Sequence, residues 1–357
     1  MDVSAKITGL NYSPFMCREL NTFSIDRLDD ALTKESTFIL SIDKKRQIAL
    51  SWWVSAKRTR SYPYARIYDS LNFQGKRVTI IPIVKDEGKE GDRDFLQWDT
   101  ISLMSLLGIY VIISYYNDAE KSQKYKNKVT NQKFNIAHIK REISNLLSYQ
   151  SDALHWNFAQ VEKVGRIGEK ALEAYKKISK KLNVEMHSEY SARKRVNELL
   201  KGKENFMIFS RDLAKKAQER ESITVQPKEK LSGIKATLTI NNYLGGYYFF
   251  TCDEVSIEDK NIYLIEDKHS ERSIIPALED IKDGLVKMIL FTNLKEVKID
   301  NIYYNPIALL KLTSVGKFSK DALKKSQIDN LKLLTREAKD NNFQVLINNT
   351  NLVEINL

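Results

Sequence analysis

Two cysteines in 357 residues, Cys17 and Cys252, are too few for a disulfide framework and point to a reducing compartment. Histidine is equally sparse. His138, His155, His187 and His269 show no metal-ligand spacing, so a zinc site is not expected. The N-terminal MDVSAKITGL lacks a signal-peptide pattern. The longest apolar stretch, Ile101–Tyr116, is interrupted by Gly108 and falls short of the ~20 residues a spanning helix needs. A helix running into a buried strand explains it better. A cytoplasmic protein with no membrane partner is therefore expected. Acidic residues are also in deficit, 46 against 57 Lys and Arg, for a net charge of +11. That balance favours a polyanionic partner such as DNA or RNA.

What is present is unevenly placed. Residues 121–230 carry 25 basic and 13 acidic side chains, whereas the remainder is near neutral at 32 against 33. The length suggests two or three domains, and 42% hydrophobic residues suffice for real cores. Before residue 118, strand and helix signals alternate. TFILSI (37–42), QIALSWWV (47–54) and RVTIIPIV (77–84) read as strands, Tyr64–Leu71 as a helix opened by Pro63, and 95–107 as a helix before a strand at 109–115. Helical spacing then dominates through Ile136–Leu147, Val161–Leu182 and 190–221. Strands return near 236–240, 247–251 and 261–268, with helices at 277–291 and 319–341 and a closing strand at 343–348. The pattern predicts an α/β protein in three parts: an N-terminal α/β domain (1–118), a basic helical segment (119–230) and a C-terminal α/β domain (231–357).

The C-terminal part holds the chemistry. In NIYLIEDKHS, strand alternation puts Glu266 and Lys268 on one face beside Ile262 and Leu264. Asp253, in YYFFTCDEVS, ends the preceding run, and SIEDKN between them reads as a turn. A hairpin would bring Asp253 beside Glu266 and Lys268. Two carboxylates and a lysine suit metal-dependent phosphodiester cleavage: hard oxygens hold Mg²⁺, and an ammonium orients water or offsets charge. Glu258-Asp259-Lys260 repeats the EDK triplet in the turn, where no strand fixes its side chains.

These residues resemble the PD-(D/E)xK nuclease superfamily, and within it the type II restriction endonucleases. Asp253 matches the first acid, Glu266 and Lys268 match the second acid and lysine, and the following helix and strand match the core order. Cys252 stands where the family's eponymous proline would be, and Glu254 competes with Asp253 for the first-acid role. The resemblance spans roughly residues 195 to 312. It implies a mixed-sheet restriction-endonuclease-like core and Mg²⁺-dependent cleavage of double-stranded DNA. Asp253 and Glu266 would be the metal ligands, and Asp253, Glu266 and Lys268 the catalytic set. In members a preceding helix often adds a carboxylate, for which Glu198 and Glu204 are candidates. A restriction enzyme further implies a cognate DNA methyltransferase as a functional partner and a homodimer that cuts both strands. A transposon-end or repair nuclease of the same superfamily, or a non-catalytic nucleic-acid-binding protein, are the alternatives.

Phosphate contacts are expected from the basic segment through Arg193, Lys194, Arg195, Arg211, Lys215 and Lys216. The run AKRTRSYPYAR adds Lys57, Arg58, Arg60 and Arg66 interleaved with Tyr62 and Tyr64, a mixture that suits phosphate contact and base stacking. The N-terminal part also echoes the C-terminal one. Asp43, then Ser55 and Lys57, then Pro63, a helix and a strand follow in the order of Asp253, Glu266, Lys268, Pro276, a helix and a strand. It reads as a degenerate copy, with Ser55 in place of the glutamate, or as a DNA-recognition domain. Asp86, Glu87, Asp92, Asp94 and Asp99 form an acidic loop that is either a second metal site or a solvated turn.

Overall fold

The computed structural model describes residues 1–57, 62–200, 234–242, 246–316 and 318–355. It is a mixed α/β protein whose chain divides into two compact units, Leu20–Leu213 and Met1–Glu19 with Ala214–Leu357. This division differs from the three-part reading. The helices between residues 136 and 200 belong to the same unit as the first α/β segment, and the strand Asp2–Ile7 belongs with residues 214–357. The hydrogen bonds give the reason in both cases.

In the Leu20–Leu213 unit, five described strands run in the order Thr22–Ser24, Thr37–Ser41, Gln47–Trp52, Lys76–Pro82 and Ile109–Ser114. Thr37–Ser41 and Gln47–Trp52 are antiparallel, and the next two strands continue parallel. Parallel strands are covered on both faces, which their near-continuous apolar runs allow. Ile48, Leu50, Val78, Ile80, Ile81 and Val111–Ile113 are all buried. The helices close the sheet at Ile109–Ser114. Asn157, in the helix Ala153–Glu162, accepts from the Val111 amide at 2.7 Å and donates to the Ile109 carbonyl at 2.9 Å. Trp156 donates to the Val111 carbonyl, and His138, in Ile136–Leu147, bonds the Ile113 carbonyl. Polar side chains therefore satisfy a strand edge that would otherwise be left unpaired. The basic helix Val164–Leu182 buries Ala171, Ala174, Tyr175 and Ile178 and leaves lysines outside, an amphipathic use of its charge. A polar hairpin, Tyr116–Lys121 with Val129–Phe134, lies where the sequence pattern passes from the N-terminal α/β part to the basic helical segment.

The other unit is built on a mixed sheet of nine strands among the described residues. Their order is Ile302–Tyr303, Lys295–Ile299, Asp2–Ile7, Ile234–Asn242, Gly246–Glu258, Asn261–Ser270, Asn305–Ser314, Phe343–Ile347 and Thr350–Asn351. Asp2–Ile7 runs parallel to Ile234–Asn242, with Asp2 opposite Thr237. Gly246–Glu258 and Asn261–Ser270 form an antiparallel hairpin, and Asn305–Ser314 and Phe343–Ile347 then add in parallel. The helices Leu278–Phe291 and Lys325–Asp340 make the crossovers that parallel pairing requires. Leu285, Val286, Met288 and Leu290 of the first and Leu331 and Leu334 of the second are fully buried. Glu337 of the second helix accepts from the Tyr12 hydroxyl at 2.7 Å and the Phe15 amide at 2.9 Å, tying down the segment that follows the N-terminal strand. Among the described residues, no helix is long and apolar enough to cross a membrane.

Candidate active site

The hairpin register brings the predicted residues together. Glu254 lies opposite Ile265, so Asp253 falls opposite Glu266 on the shared face. The Asp267 amide donates to Asp253 Oδ2 at 3.2 Å. Glu266 is only 1% exposed. Its Oε1 lies 2.9 Å from Lys268 Nζ, and that ammonium is also 2.7 Å from Asp283 Oδ2 on the helix Leu278–Phe291. Asp253, Glu266 and Lys268 therefore share one face at the end of the hairpin. Of the EDK triplet at residues 258–260, Glu258 ends the strand and Asp259 and Lys260 form the turn, where Asp259 takes a positive φ of 55°. The turn is shorter than the sequence pattern suggests, because the strands extend to Glu258 and from Asn261.

Alternation also separates the two adjacent acids. Glu254 points to the opposite face, where Lys311, two strands away on Asn305–Ser314, lies 3.5 Å from its Oε2. Asp267 shares that face, and Thr313 donates to its Oδ1 at 3.0 Å. Glu254 thus has a partner away from Glu266, and Asp253 alone of the two joins it.

A second lysine completes the site, and the sequence reading missed it. Lys287 is 8% exposed although it lies in the apolar run GLVKMILF. Its Nζ bonds Glu266 Oε2, lies 4.0 Å from Asp253 Oδ2 and donates to the Thr251 carbonyl at 3.4 Å. Asp283 and Lys287 are four residues apart, so one helix face supplies both a partner for Lys268 and a partner for the carboxylates. A lysine at a core position of an amphipathic helix was the available signal. Gly284, between them, permits the approach: a Cβ there would come within 2.7 Å of Leu310 Cδ1 and 3.4 Å of Lys268 Cε.

Charge sets the proton balance. Burial and the neighbouring Asp253 charge push the Glu266 carboxyl up to about 7, against the pull of Lys268 and Lys287. For Asp253, burial acts upward, but the Lys287 ammonium and hydrogen bonding with Glu266 outweigh it and hold the group below the usual carboxylate range. Burial opposes the Lys268 charge, but Glu266 and Asp283 more than restore it, and its pKa is raised. The two carboxyls therefore act as a pair that holds a proton near neutrality, while Lys268 stays an ammonium. Cys252, buried beside them, donates to the Ile265 carbonyl at 3.3 Å, and burial raises its thiol pKa. It is thus an inert packing group.

A divalent cation fits this donor set. Asp253 and Glu266 offer hard oxygens from adjacent strands, and two crowded carboxylates that otherwise retain a proton have the charge for Mg²⁺. Among the described residues, no cluster of three or more His, Cys, Asp or Glu is arranged to hold a metal. Glu198, one candidate for a further carboxylate, lies in the other compact unit. Glu204 lies outside the described residues.

The remaining candidates are scattered among different partners. Lys57 is exposed and its Nζ is 3.7 Å from Asp94 Oδ1, while Ser55, buried, donates to Asp94 Oδ2 at 2.6 Å. Asp43 is tied instead to Arg46 in an exposed turn. Arg66 is half-buried, with its guanidinium stacked 4.4 Å over Trp52 and donating to that residue's carbonyl. Arg193 pairs with Glu169 and Glu189, and Lys194 is exposed. Arg195 lies over the Phe95 ring, and burial lowers its pKa to about 10. Arg58, Arg60, Arg211, Lys215 and Lys216 lie outside the described residues. In the acidic loop, Asp86 meets His187 and lies 3.9 Å from Arg93, and Glu87 pairs with Lys85 and Lys128.

Compared with protein-family models, with curated proteins and with solved structures, the chain has no significant match.

Proposed function

We propose that the unit made of Met1–Glu19 and Ala214–Leu357 is a Mg²⁺-dependent nuclease of the PD-(D/E)xK type. It would cut double-stranded DNA at a fixed site as the nuclease of a type II restriction–modification system. The observation that carries this reading is the convergence of Asp253, Glu266 and Lys268 on one hairpin face, with Lys268 Nζ 2.9 Å from Glu266. Asp253 and Glu266 would hold the ion, which when bound supplies Lewis-acid polarisation of the phosphate and a more acidic water. Lys268, fixed between Glu266 and Asp283, orients the attacking water and offsets charge developing on the phosphate. Its raised pKa makes it a cation and hydrogen-bond donor at neutral pH, not a general base.

The net charge of +11 supports a polyanion as substrate, and Lys57 and Lys194 are exposed cations able to meet phosphates. Cutting both strands calls for two such centres, which a homodimer would supply. A methyltransferase that modifies the same site would protect the host DNA.

The test incubates purified protein with plasmid DNA in Mg²⁺ or in EDTA. Discrete fragments in Mg²⁺ alone are expected, with none from the Glu266→Ala, Lys268→Ala double variant. Equal cutting by that variant would sink the site assignment. Random ends instead of a fixed short sequence would favour a repair nuclease of the same chemistry. Salt-sensitive binding without cleavage would leave a nucleic-acid-binding protein.

A further inference from the structure

Glu266 divides its two oxygens between two lysines. Oε1 faces Lys268 at 2.9 Å, and Oε2 is bonded to Lys287. The two ammonium groups differ in their surroundings. Lys268 is drawn outward by Asp283, 2.7 Å away. Lys287 reaches across the pair: besides Glu266 Oε2, its Nζ lies 4.0 Å from Asp253 Oδ2 and 3.4 Å from the Thr251 carbonyl. One ammonium thus reaches an oxygen of each carboxylate. An ion held by those oxygens would compete with Lys287 for them. An ammonium and a divalent ion at that spacing repel strongly in so buried a setting.

We propose that Lys287 is a built-in counter-ion that occupies the divalent cation's place between Asp253 and Glu266, so that metal binds only by displacing it. The inference rests on the metal-centre reading of this hairpin and deepens it. Lys287 is then a positioning residue. It compensates the crowded carboxylates when metal is scarce and sets the metal concentration at which the site loads. Its long stem, buried against the sheet, allows the ammonium to withdraw while the helix stays packed.

The experiment titrates MnCl₂, and separately MgCl₂, into full-length wild type, Lys287→Met and Lys287→Gln, by isothermal titration calorimetry without DNA. Methionine retains most of the stem volume, and glutamine retains a donor without the charge. Both variants are expected to bind Mn²⁺ at least roughly tenfold more tightly than wild type, because the competing charge is gone. A merely structural lysine would not tighten metal binding when removed. Wild-type binding with unchanged or weaker binding by the variants overturns the proposal and leaves the metal centre standing. No binding by any of the three overturns both. Circular dichroism reports folding in parallel. If both variants are unfolded even in saturating Mg²⁺, the proposal also fails, since an ion able to replace the ammonium would restore the fold.

Discussion

The two units repeat one order of elements. Each has an antiparallel hairpin, a helix, a parallel strand, a second helix and a second parallel strand, interrupted by Val84–Asp86 and Arg93–Phe95 in one and by Lys295–Ile299 and Ile302–Tyr303 in the other. These are Thr37–Ser41 through Ile109–Ser114 in one and Gly246–Glu258 through Phe343–Ile347 in the other. They differ in what stands at the end of the hairpin. In the second unit, facing strands bring two acids together, and a helix of 14 residues adds Asp283 and Lys287. In the first, the helix Pro63–Asp69 has 7 residues and packs Tyr64, Ile67 and Tyr68 into the core. Asp43 remains in a turn, and the acid beside Ser55 is Asp94, from a different strand. A similar order of elements thus carries a carboxylate pair in one unit and a single serine–aspartate hydrogen bond in the other. A strand order positions a site, but the side chains that meet there decide its charge.

Matched substitutions give the largest expected contrast. Glu266→Ala should lower DNA cleavage on the order of 10³-fold, whereas Ser55→Ala should leave the rate unchanged in a plasmid assay. A comparable loss from Ser55→Ala would mean that both copies cut. Next in size is the effect of the second acid on the same strand. Glu254→Gln loses its ionic contact with Lys311 and should cost about 1–3 kcal/mol in urea unfolding, with metal binding intact. If metal binding disappears in folded protein, Glu254 and not Asp253 is the ligand.

The smallest expected effect is a divergence with pH in EDTA. Glu266 has a pKa raised from 4.5 to about 7, so the folded state holds more protons than the unfolded one between those values. Its unit therefore gains stability as pH falls from 7 towards 4.5. His138 is shifted the other way, lowered from 6.5 chiefly by burial. The unfolded chain takes the proton first, and the Leu20–Leu213 unit loses stability as pH falls below 6.5. Amide exchange at pH 7.5 and 5.5 should show protection moving in opposite directions in the two sheets. A common shift would break the distinction.

Much of this was legible from residue order. Strong periodicity fixed Ile136–Leu147 to the residue and placed the parallel strands within a residue or two. Strand parity was enough to put Glu266 with Lys268. What could not be read was anything decided by distant partners. Asp2–Ile7 is a short alternating segment that looks like a loose terminus until Ile234–Asn242 pairs with it. The polar hairpin Tyr116–Lys121 with Val129–Phe134 has little apolar signal to detect. Lys287 was hidden because a helix face acquires meaning only when the sheet beneath it is known. The basic helices suggested a DNA-binding segment by composition, but composition does not show that Asn157 and His138 complete a sheet edge.

The pairing of Asp2–Ile7 has a consequence for how the protein is made. This strand is made well before Ile234–Asn242, and Asp2 lacks its partner in that strand until Thr237 emerges. At ~5–20 residues per second that is a wait of roughly 10–50 s, during which the Leu20–Leu213 unit can fold by itself. The hairpin with Asp253 and Glu266, and the helix that brings Lys287, come later still. A nascent chain interrupted before that point would carry no carboxylate pair, so any cutting capacity would arise only after the Leu20–Leu213 unit has been made.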